Sequence, residues 1–462
     1  MTIVSTDILK QCDIRGTYPR PLGAPQAEQI GLAVGTQIKS EPHRNIKVVV
    51  GCDVRSSGDT LKKAMISGLR HTGLKIVDAG VVSTPLLGFA TRFSGASVGV
   101  MVTASHNPPE YNGFKFFLKG LPASVEWIQK VYDVLNKENF RKGAGIVEKK
   151  NFYPDYRNSV VNSVGQNFQG FHLVIDPGNG MTALTAPKIF ESVNCDLTMI
   201  NGEMDGDFPG RGADSSSPAA LEALGDKVRK AKAQMGAAFD GDGDRVSFVD
   251  EKGREVPNDV ILSLFSIQLL AKYKGGRVIY DGKCSDWVDK TVRAHGGVPL
   301  LERSGHTFIF TRMTQERALL AGEASGHFFL PGLFPSDALY VCLKLMELLK
   351  ESNQTLSQLC QPFPPLVSSH DVKLKLSPEQ VSALFESLKS RAKEMGGVVS
   401  TLDGVRAVFP DGWGIARMSV TEPVLSCRFE ASTAKRMIAL VAEWTQDQPE
   451  IREMIVEKMT QK

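Results

Sequence analysis

The chain has 462 residues, 42% hydrophobic and 23% charged, with 54 Lys and Arg against 51 Asp and Glu for a formal charge of +3. That length gives material for about three or four domains, and the composition is that of a globular protein. So mild a charge carries no nucleic-acid footprint, the sequence offers no membrane span, and seven scattered cysteines without Cys-x-x-Cys spacing argue against a disulfide framework and a zinc site.

The first residues, Met1 to Asp7, have no basic stretch followed by an apolar core, so neither export nor import is expected and a cytoplasmic setting follows. The next part of the chain alternates two periodicities. Ile46–Val50 reads as a strand, Asp59–His71 as an amphipathic helix, Lys75–Val77 as a strand, Pro85–Phe93 as a helix and Val98–Val102 as a strand. The set recurs as Leu173–Ile175, a helix near Ala183–Phe190, Leu197–Ile200, a helix around Ala219–Ala233, and Gly236–Phe239. It comes a third time as Val278–Tyr280, a helix around Asp286–His295, Val298–Leu301, a helix from Thr307, and Leu319–Ala321. Three units, each ending a strand just before a polar loop, form a diverged internal repeat of stacked α/β layers.

From about Asp371 the pattern changes to strands separated by one long helix, with turns at Leu402-Asp403-Gly404 and Pro410-Asp411-Gly412. This reads as a smaller α+β domain with an antiparallel sheet, hinged to the rest through the proline-rich Cys360–Val367. The expected domains are therefore residues 1–150, 151–255, 256–366 and 367–462.

Two loops carry chemistry. Thr103-Ala-Ser-His-Asn-Pro108 follows the strand Val98–Val102; Asn107 favours a turn and Pro108 blocks helix continuation, which displays the Ser105 hydroxyl at a strand end. The same residues suit an ordinary surface turn. Asp240-Gly-Asp-Gly-Asp-Arg245 sits between the apolar runs Met235–Phe239 and Val246–Val249. Three alternating carboxylates repel one another unless a cation neutralises them, and the glycines let the backbone turn them inward around a hard ion. Asp240, Asp242, Asp244 and Glu251 would match a calcium EF-hand loop, but its sixth position requires glycine and here is Arg245, followed by a strand-like run. A compact Mg²⁺ site at Asp240, Asp242 and Asp244 is the better reading.

The serine turn and the Asp-Gly-Asp-Gly-Asp-Arg loop resemble those of the α-D-phosphohexomutases, the phosphomannomutase/phosphoglucomutase family. Gly322-Glu-Ala-Ser-Gly-His327 is similar to that family's sugar-recognition loop, and Arg417-Met-Ser-Val-Thr-Glu-Pro423 to its C-terminal phosphate-binding loop. The four segments stand in family order over nearly the whole chain. The resemblance implies three related mixed α/β domains followed by the smaller C-terminal domain, arranged around a central cleft. It implies Ser105 as a phosphoserine that shares a Mg²⁺ ion with the three aspartates. Arg245 would assist the phosphoryl oxygens, although a salt bridge back to the aspartates is its structural alternative.

By the same resemblance Lys115 is the acid–base or transition-state lysine, while the residue pattern alone, a lysine between Phe114 and Phe116, suits a solvent-facing position on an alternating strand. Arg15 and His327 are implied around the transferred group. His106, next to the serine, is expected to shape the turn, since a nucleophile and its base converge from separate segments. Glu323 and Ser325 are the expected sugar readers, with Lys283, Gly305 and His306 resembling the third domain's share of ligand binding. Arg417, Ser419 and Thr421 would grip the phosphate that is not reacting, with Arg428 as an outer charge. Two positions depart from the family pattern: Val420, where many relatives have a polar Asn or Gly, and Cys12, where an aromatic often precedes Asp-Ile-Arg-Gly.

The activity so implied is interconversion of hexose 1- and 6-phosphates, with hexose 1,6-bisphosphate as activator and intermediate. Ala324 in Gly-Glu-Ala-Ser-Gly-His favours mannose and glucose phosphates. The alternatives are a phosphoglucosamine mutase, a non-catalytic phosphosugar-binding relative, and a metal-dependent phosphatase. The expected partner is a small phosphosugar, with no nucleic acid or membrane, and the expected assembly a monomer or homodimer.

Overall fold

The computed structural model describes residues 4–40, 46–165, 167–333, 336–363, 366–419 and 424–460. Its first elements are β1 (Ile14–Thr17), α1 (Ala24–Ser40), β2 (Lys47–Cys52), α2 (Gly58–His71), β3 (Lys75–Val81), α3 (Thr84–Phe93), β4 (Val98–Val102), β5 (Tyr111–Leu118), β6 (Leu121–Pro122), α4 (Val125–Lys137) and β7 (Ile146–Lys149). The sheet order is β1-β5-β4-β2-β3-β7, with β6 paired to β5. β2 is parallel to β3 and β4, whereas β5 runs antiparallel to β4 and β1. A core of Ile30, Val34, Leu61, Met65, Val48, Val50, Val100, Phe114 and Trp127 joins α1, α2 and α4 to the sheet. The local chemistry of α3 is explicit: Ser83 caps it by accepting from the Leu86 amide at 3.3 Å, Pro85 stands in its first turn, and it stops before Gly95.

The second domain runs α5 (Tyr153–Asn162), β8 (His172–Asp176), α6 (Thr182–Ser192), β9 (Asp196–Met199), α7 (Pro218–Ala231), β10 (Met235–Phe239), β11 (Val246–Val249) and β12 (Glu255–Val256), in sheet order β12-β11-β10-β8-β9. The third runs α8 (Asn258–Lys272), β13 (Arg277–Asp281), α9 (Trp287–Ala294), β14 (Val298–Glu302), α10 (His306–Glu316) and β15 (Leu320–Gly322), with β13 parallel to both β14 and β15. β16 (Phe328–Phe329), α11 (Ala338–Ser352) and α12 (Leu356–Leu359) follow. The expected repeat is thus present: β2, β8 and β13 are the same central strand used three times.

The last domain comprises β17 (Val367–Ser368), β18 (Val372–Leu374), α13 (Pro378–Glu394), β19 (Val398–Ser400), β20 (Val405–Phe409), β21 (Gly412–Met418), β22 (Leu425–Ala431), α14 (Ala434–Trp444) and α15 (Pro449–Thr460). Its sheet, β17-β22-β21-β20-β19, is antiparallel as expected. The single long helix anticipated there is α13, but α14 and α15 accompany it. Their apolar residues Met437, Leu440, Val441, Trp444, Ile451 and Ile455 complete the domain core, which one helix could not cover.

The chain divides into two compact units, Met1–Asn258 with Ser325–Leu359, and Asp259–Ala324 with Cys360–Lys462. The C-terminal domain therefore does not stand apart from the third domain. Ser285 Oγ donates to Glu430 Oε1 at 2.6 Å, Arg406 Nε donates to the Gly282 carbonyl at 3.1 Å, and Lys283 pairs with Asp371. Among the described residues no helix is long and apolar enough to cross a membrane.

Candidate active site

In the first unit the serine turn and the aspartate loop meet. Ser105 is fully buried with φ 53, in the left-handed region that costs a non-glycine residue about 1–3 kcal/mol. Its amide donates to Thr103 Oγ1 at 2.8 Å, and its hydroxyl donates to Asp240 Oδ2 at 2.7 Å. The strained turn is held by a residue sequence reading passed over. Arg55, buried after β2, donates from Nη1 to the carbonyls of Pro108 and Tyr111 at 2.6 and 2.9 Å, and from Nη2 to those of Ser105 and Asn107 at 2.8 and 2.6 Å.

Asp240 directly follows β10 and organises its own loop: Oδ1 accepts the amides of Gly243, Asp244 and Arg245 at 3.0, 3.1 and 3.1 Å. Gly243 takes φ 80, and a Cβ on Gly241 would come within 2.7 Å of the Ser105 carbonyl oxygen, so glycine is what lets the two loops touch. β11 follows where a calcium loop would need its second helix, and Glu251 turns away to accept the Ser357 amide at 3.1 Å.

Lys115 is only 3% exposed. Its ammonium donates to Asp242 Oδ2 at 2.8 Å and to Asp244 Oδ2 at 2.6 Å. The solvent-facing alternative fails because β5 lies between β1 and β4 with both faces covered, which erases the alternation of an exposed strand. Burial works against its charge, but Asp242, Asp244 and Asp240 outweigh it and hold the side chain as an ammonium. Thr84 Oγ1 adds a hydrogen bond to Asp242 Oδ2 at 2.5 Å, and His327 Nε2 lies 3.1 Å from Asp244 Oδ1. Gly326, φ 89, sets that histidine: a Cβ there would meet the Val246 carbonyl oxygen at 2.5 Å. Arg15 donates to Asn107 Oδ1 at 2.6 Å and to Asp13. Arg245 is half-buried beside the loop, and Cys12 is buried.

Burial lifts the Asp240 carboxyl well above the usual range, and Asp242 and Asp244 push it further. Asp244 starts from the same burial, yet Lys115 and His327 bring it well below. Burial, then Arg245 and Arg15, depress His106, whose Nδ1 is 3.5 Å from Ser105 Oγ. Such an imidazole is a weak base, which fits its expected part in shaping the turn. The three carboxylates present oxygens within 4.8 Å of one another, all buried. Lys115 occupies the Oδ2 side of Asp242 and Asp244, while the buried Asp242 Oδ1 has no hydrogen-bond partner among the described residues. A hard, oxygen-only donor set with an orphaned carboxylate oxygen fits a Mg²⁺-class ion.

The second unit gathers the expected recognition residues of the third and fourth domains. The Gly305 amide, at the start of α10, donates to buried Glu323 at 2.5 Å. Asp403 links the two domains, accepting the Ser304 amide at 3.0 Å and Arg417 Nε at 2.6 Å. Arg417 is buried, and its Nη2 has no hydrogen-bond partner among the described residues. Lys283 is taken up by Asp371 and half-buried His306 starts α10. Asp259, Asp371 and Glu430 sustain the charge of Arg428 against its burial, so its positive charge is already matched within the protein. The Ser419 amide donates to the Val424 carbonyl at 2.9 Å; Ser325, assigned to the first unit, is half-buried. Thr421 and the departure at Val420 lie outside the described residues.

Four family profiles match in succession: the phosphoglucomutase/phosphomannomutase α/β/α domains I, II and III over residues 6–142, 151–253 and 257–366, and the C-terminal domain over 372–446. This chain belongs to the phosphoglucomutase/phosphomannomutase family. It is 36% identical to a phosphomannomutase/phosphoglucomutase of Pseudomonas aeruginosa over 434 residues, covering 93% of each chain. Against a phosphoglucomutase of Neisseria gonorrhoeae it is 34% identical over 440 residues, 94% of this chain and 95% of the other. A phosphoglucomutase/phosphomannomutase family protein of Burkholderia thailandensis superposes with a TM-score of 0.86 at 33% identity, covering 99% of this chain and 98% of that one. The family's three α/β/α domains and C-terminal domain agree with the fold class read from the sequence.

Sequence reading of this family member missed Asp53, Arg55, Thr84, Arg211 and Asp403. Each acts through partners 28 to 158 positions away. A weak signal existed in the pair Asp53 and Arg55: charged residues just after the apolar run Val48–Cys52 are either at the surface or paired.

Proposed function

We propose that this phosphohexomutase interconverts hexose 1-phosphate and hexose 6-phosphate, of mannose, glucose or both, by way of phosphorylated Ser105 and a bound hexose 1,6-bisphosphate. The observation that carries the reading is Ser105 Oγ, held 2.7 Å from Asp240 Oδ2 at the edge of the buried aspartate triad, on a turn strained to present it.

In the first half-reaction a sugar hydroxyl attacks phosphorus on phosphoserine 105. The bond from phosphorus to Oγ breaks as that to the sugar oxygen forms; overall the hydroxyl proton ends on Ser105 Oγ. The hydrogen bond from that hydroxyl to Asp240 is the one the free serine makes here. The second half-reaction reverses these steps with the other phosphate of the bisphosphate. Lys115, held charged, offers a donor to the phosphoryl oxygens in a loose transition state where electrostatics dominate; a side chain so held is no general base. Arg15 and Arg245 add positive charge, and His327 orients Asp244. Asp240, Asp242, Asp244 and the serine oxygen would hold Mg²⁺, which when bound draws charge from the phosphoryl group.

Glu323 and Ser325 are assigned to the sugar hydroxyls, supported by the short polar side chains of their loop and the bond from Gly305 that fixes Glu323. Arg417, whose Nη2 has no partner among the described residues, is assigned with Ser419 and Thr421 to the non-reacting phosphate, with Lys283, Gly305 and His306 as the third domain's share of ligand binding and Arg428 outside them. The reaction is placed in the cytoplasm, since anionic phosphosugars do not cross an apolar bilayer unaided. The deciding experiment assays mannose, glucose and glucosamine 1-phosphates in parallel, with and without Mg²⁺ and added bisphosphate. Mannose or glucose 6-phosphate should form fastest. Faster turnover of the glucosamine ester would reassign the substrate, and free sugar with inorganic phosphate would make the protein a phosphatase.

A further inference from the structure

One buried aspartate stands at the C-terminal end of the central strand in each of the three repeated domains. Asp53 directly follows β2, Asp176 ends β8 and Asp281 ends β13, and they are 1%, 0% and 2% exposed. Each strand lies between topologically equivalent parallel neighbours, β3 and β4, β9 and β10, or β14 and β15.

The bonds repeat as well. Each carboxylate first closes its own turn, accepting the Arg55 amide at 3.1 Å, the Gly178 amide at 2.8 Å, or the Cys284 thiol at 3.1 Å. Asp53 then reaches the loop after β4 and Asp281 the loops after β14 and β15, whereas Asp176 reaches the loop after β9 and, through Arg211, the end of β10. Asp53 Oδ2 accepts Thr103 Oγ1 at 2.6 Å, two residues before Ser105, and the Arg55 guanidinium at 3.3 Å. Asp176 Oδ2 accepts Arg211 Nε at 2.8 Å, and Arg211 Nη2 donates to the Phe239 carbonyl at 2.6 Å, just before Asp240. Asp281 Oδ1 accepts the Ala324 amide at 3.0 Å, beside Glu323, while its Oδ2 accepts Ser304 Oγ at 2.6 Å.

A desolvated carboxylate is tolerated only with its lone pairs occupied, and bonds to such a group are shorter and stronger than neutral ones. A carboxylate shared between two loops therefore fixes one against the other. We propose that Asp53, Asp176 and Asp281 are one positioning device used three times, each setting the functional loop of its own domain: the serine turn, the metal loop and the sugar loop. The proposal rests on the functional reading of those loops given above.

The test uses Asp53→Asn, Asp176→Asn and Asp281→Asn in the full-length protein, with three readouts on each. These are the rate at which radiolabelled phosphoenzyme is formed from glucose 1,6-bisphosphate, the Mg²⁺ concentration for half-maximal activity, and KM together with the mannose-to-glucose preference. Loss of one well-made hydrogen bond to a charged group is expected to shift the matching readout about tenfold. Asp53→Asn should slow phosphoenzyme formation, Asp176→Asn should raise the Mg²⁺ requirement, and Asp281→Asn should move KM and preference, each leaving the other two readouts within about twofold. Should an asparagine variant not fold, Thr103→Val, Arg211→Lys and Ser304→Ala remove one donor from the same contacts and are read identically. If all three readouts fall together in every variant, or none moves, the aspartates are merely structural and the proposal is wrong. A parent protein that forms no phosphoenzyme and ignores Mg²⁺ would instead overturn the functional reading beneath it.

Discussion

Lys115 and Asp244 lie 2.6 Å apart, both nearly excluded from solvent, in a pocket that also holds Asp240 and Asp242. The ammonium bonds two of the three carboxylates directly. The geometry gives Lys115 two tasks that mutation can separate. Lys115→Met should lower kcat by roughly a hundredfold or more through loss of a transition-state donor. It should also tighten Mg²⁺ binding, since the ion no longer competes with a fixed positive charge, and should make thermal stability more dependent on Mg²⁺. A variant with weaker Mg²⁺ binding and unchanged kcat would show that the lysine only builds the metal site.

Asp242 carries an Oδ1 without a hydrogen-bond partner among the described residues, while its Oδ2 is taken by Thr84 and Lys115. Asp242→Asn keeps the volume and removes the charge that a hard cation needs. The expected result is a loss on the order of a thousandfold in rate, with a raised Mg²⁺ requirement and a KM for phosphosugar that changes far less. Activity that survives EDTA in the parent protein would remove this loop from the catalytic account.

The serine turn predicts a chemical state. Peptide mass mapping of the purified protein should find a single phosphate on Ser105 in part of the population. Ser105→Ala should have no mutase activity that added hexose 1,6-bisphosphate can restore. Phosphate on another residue, or full activity in the alanine variant, would end the phosphoserine mechanism.

Stability should fall across a defined pH window. Asp337 caps α11, accepting the Leu339 and Tyr340 amides at 3.1 Å and the Tyr156 hydroxyl at 2.9 Å, and burial pushes its carboxyl up to about 6 from an ordinary 3.8. A raised carboxyl binds its proton more tightly in the folded state. Its contribution is therefore present at low pH and lost as pH rises through the window from 3.8 to about 6. At about 1.4 kcal/mol per pKa unit, denaturation between pH 4.5 and 6 should expose a loss of about 2 kcal/mol from this group. Asp337→Asn should abolish that component, because the amide keeps the cap and carries no charge. An unchanged pH profile in the variant would place the titration elsewhere.

The elements that sequence pattern located well are those whose signal is local. Val98–Val102 is a strand of five residues with every residue buried, and α2, α7 and α9 fall within two residues of expectation. Ser105 and the aspartate loop were legible because turn residues and crowded like charges announce themselves over six positions. Lys115 was legible only through family resemblance, since alternation assigns it to solvent and only the unbroken burial from Asn112 to Phe117 shows both faces of β5 covered. Arg55 and Asp53 left only the weak signal of two charges just after an apolar run. Their meaning lies in carbonyls and hydroxyls some fifty residues away, which a short charged segment after a strand does not reveal. The two extra helices of the last domain are missed for a related reason: α14 and α15 follow a sheet whose need for a second covering layer appears only once its strands are paired.

Arg417 ties to Asp403 through Nε at 2.6 Å, and Asp403 in turn holds the Ser304 amide at 3.0 Å. The guanidinium is thus braced on one edge, while its Nη2 is without a hydrogen-bond partner among the described residues. A braced fork with an open donor is suited to a phosphate oxygen. In a mutase the intermediate must turn so that its second phosphate meets the serine, and it must be kept long enough to do so. Arg417→Ala should therefore raise KM for hexose phosphate, by about tenfold for a lost charge-assisted bond. It should also let hexose 1,6-bisphosphate escape into solution during turnover, measurable as bisphosphate accumulating beyond the amount added as activator. Asp403→Asn should raise KM in the same direction by a smaller factor, because it loosens the brace without removing the fork. A binding protein would release no bisphosphate and a phosphatase would release inorganic phosphate. If Arg417→Ala turns over substrate as the parent does and leaks nothing, the non-reacting phosphate is held by other residues.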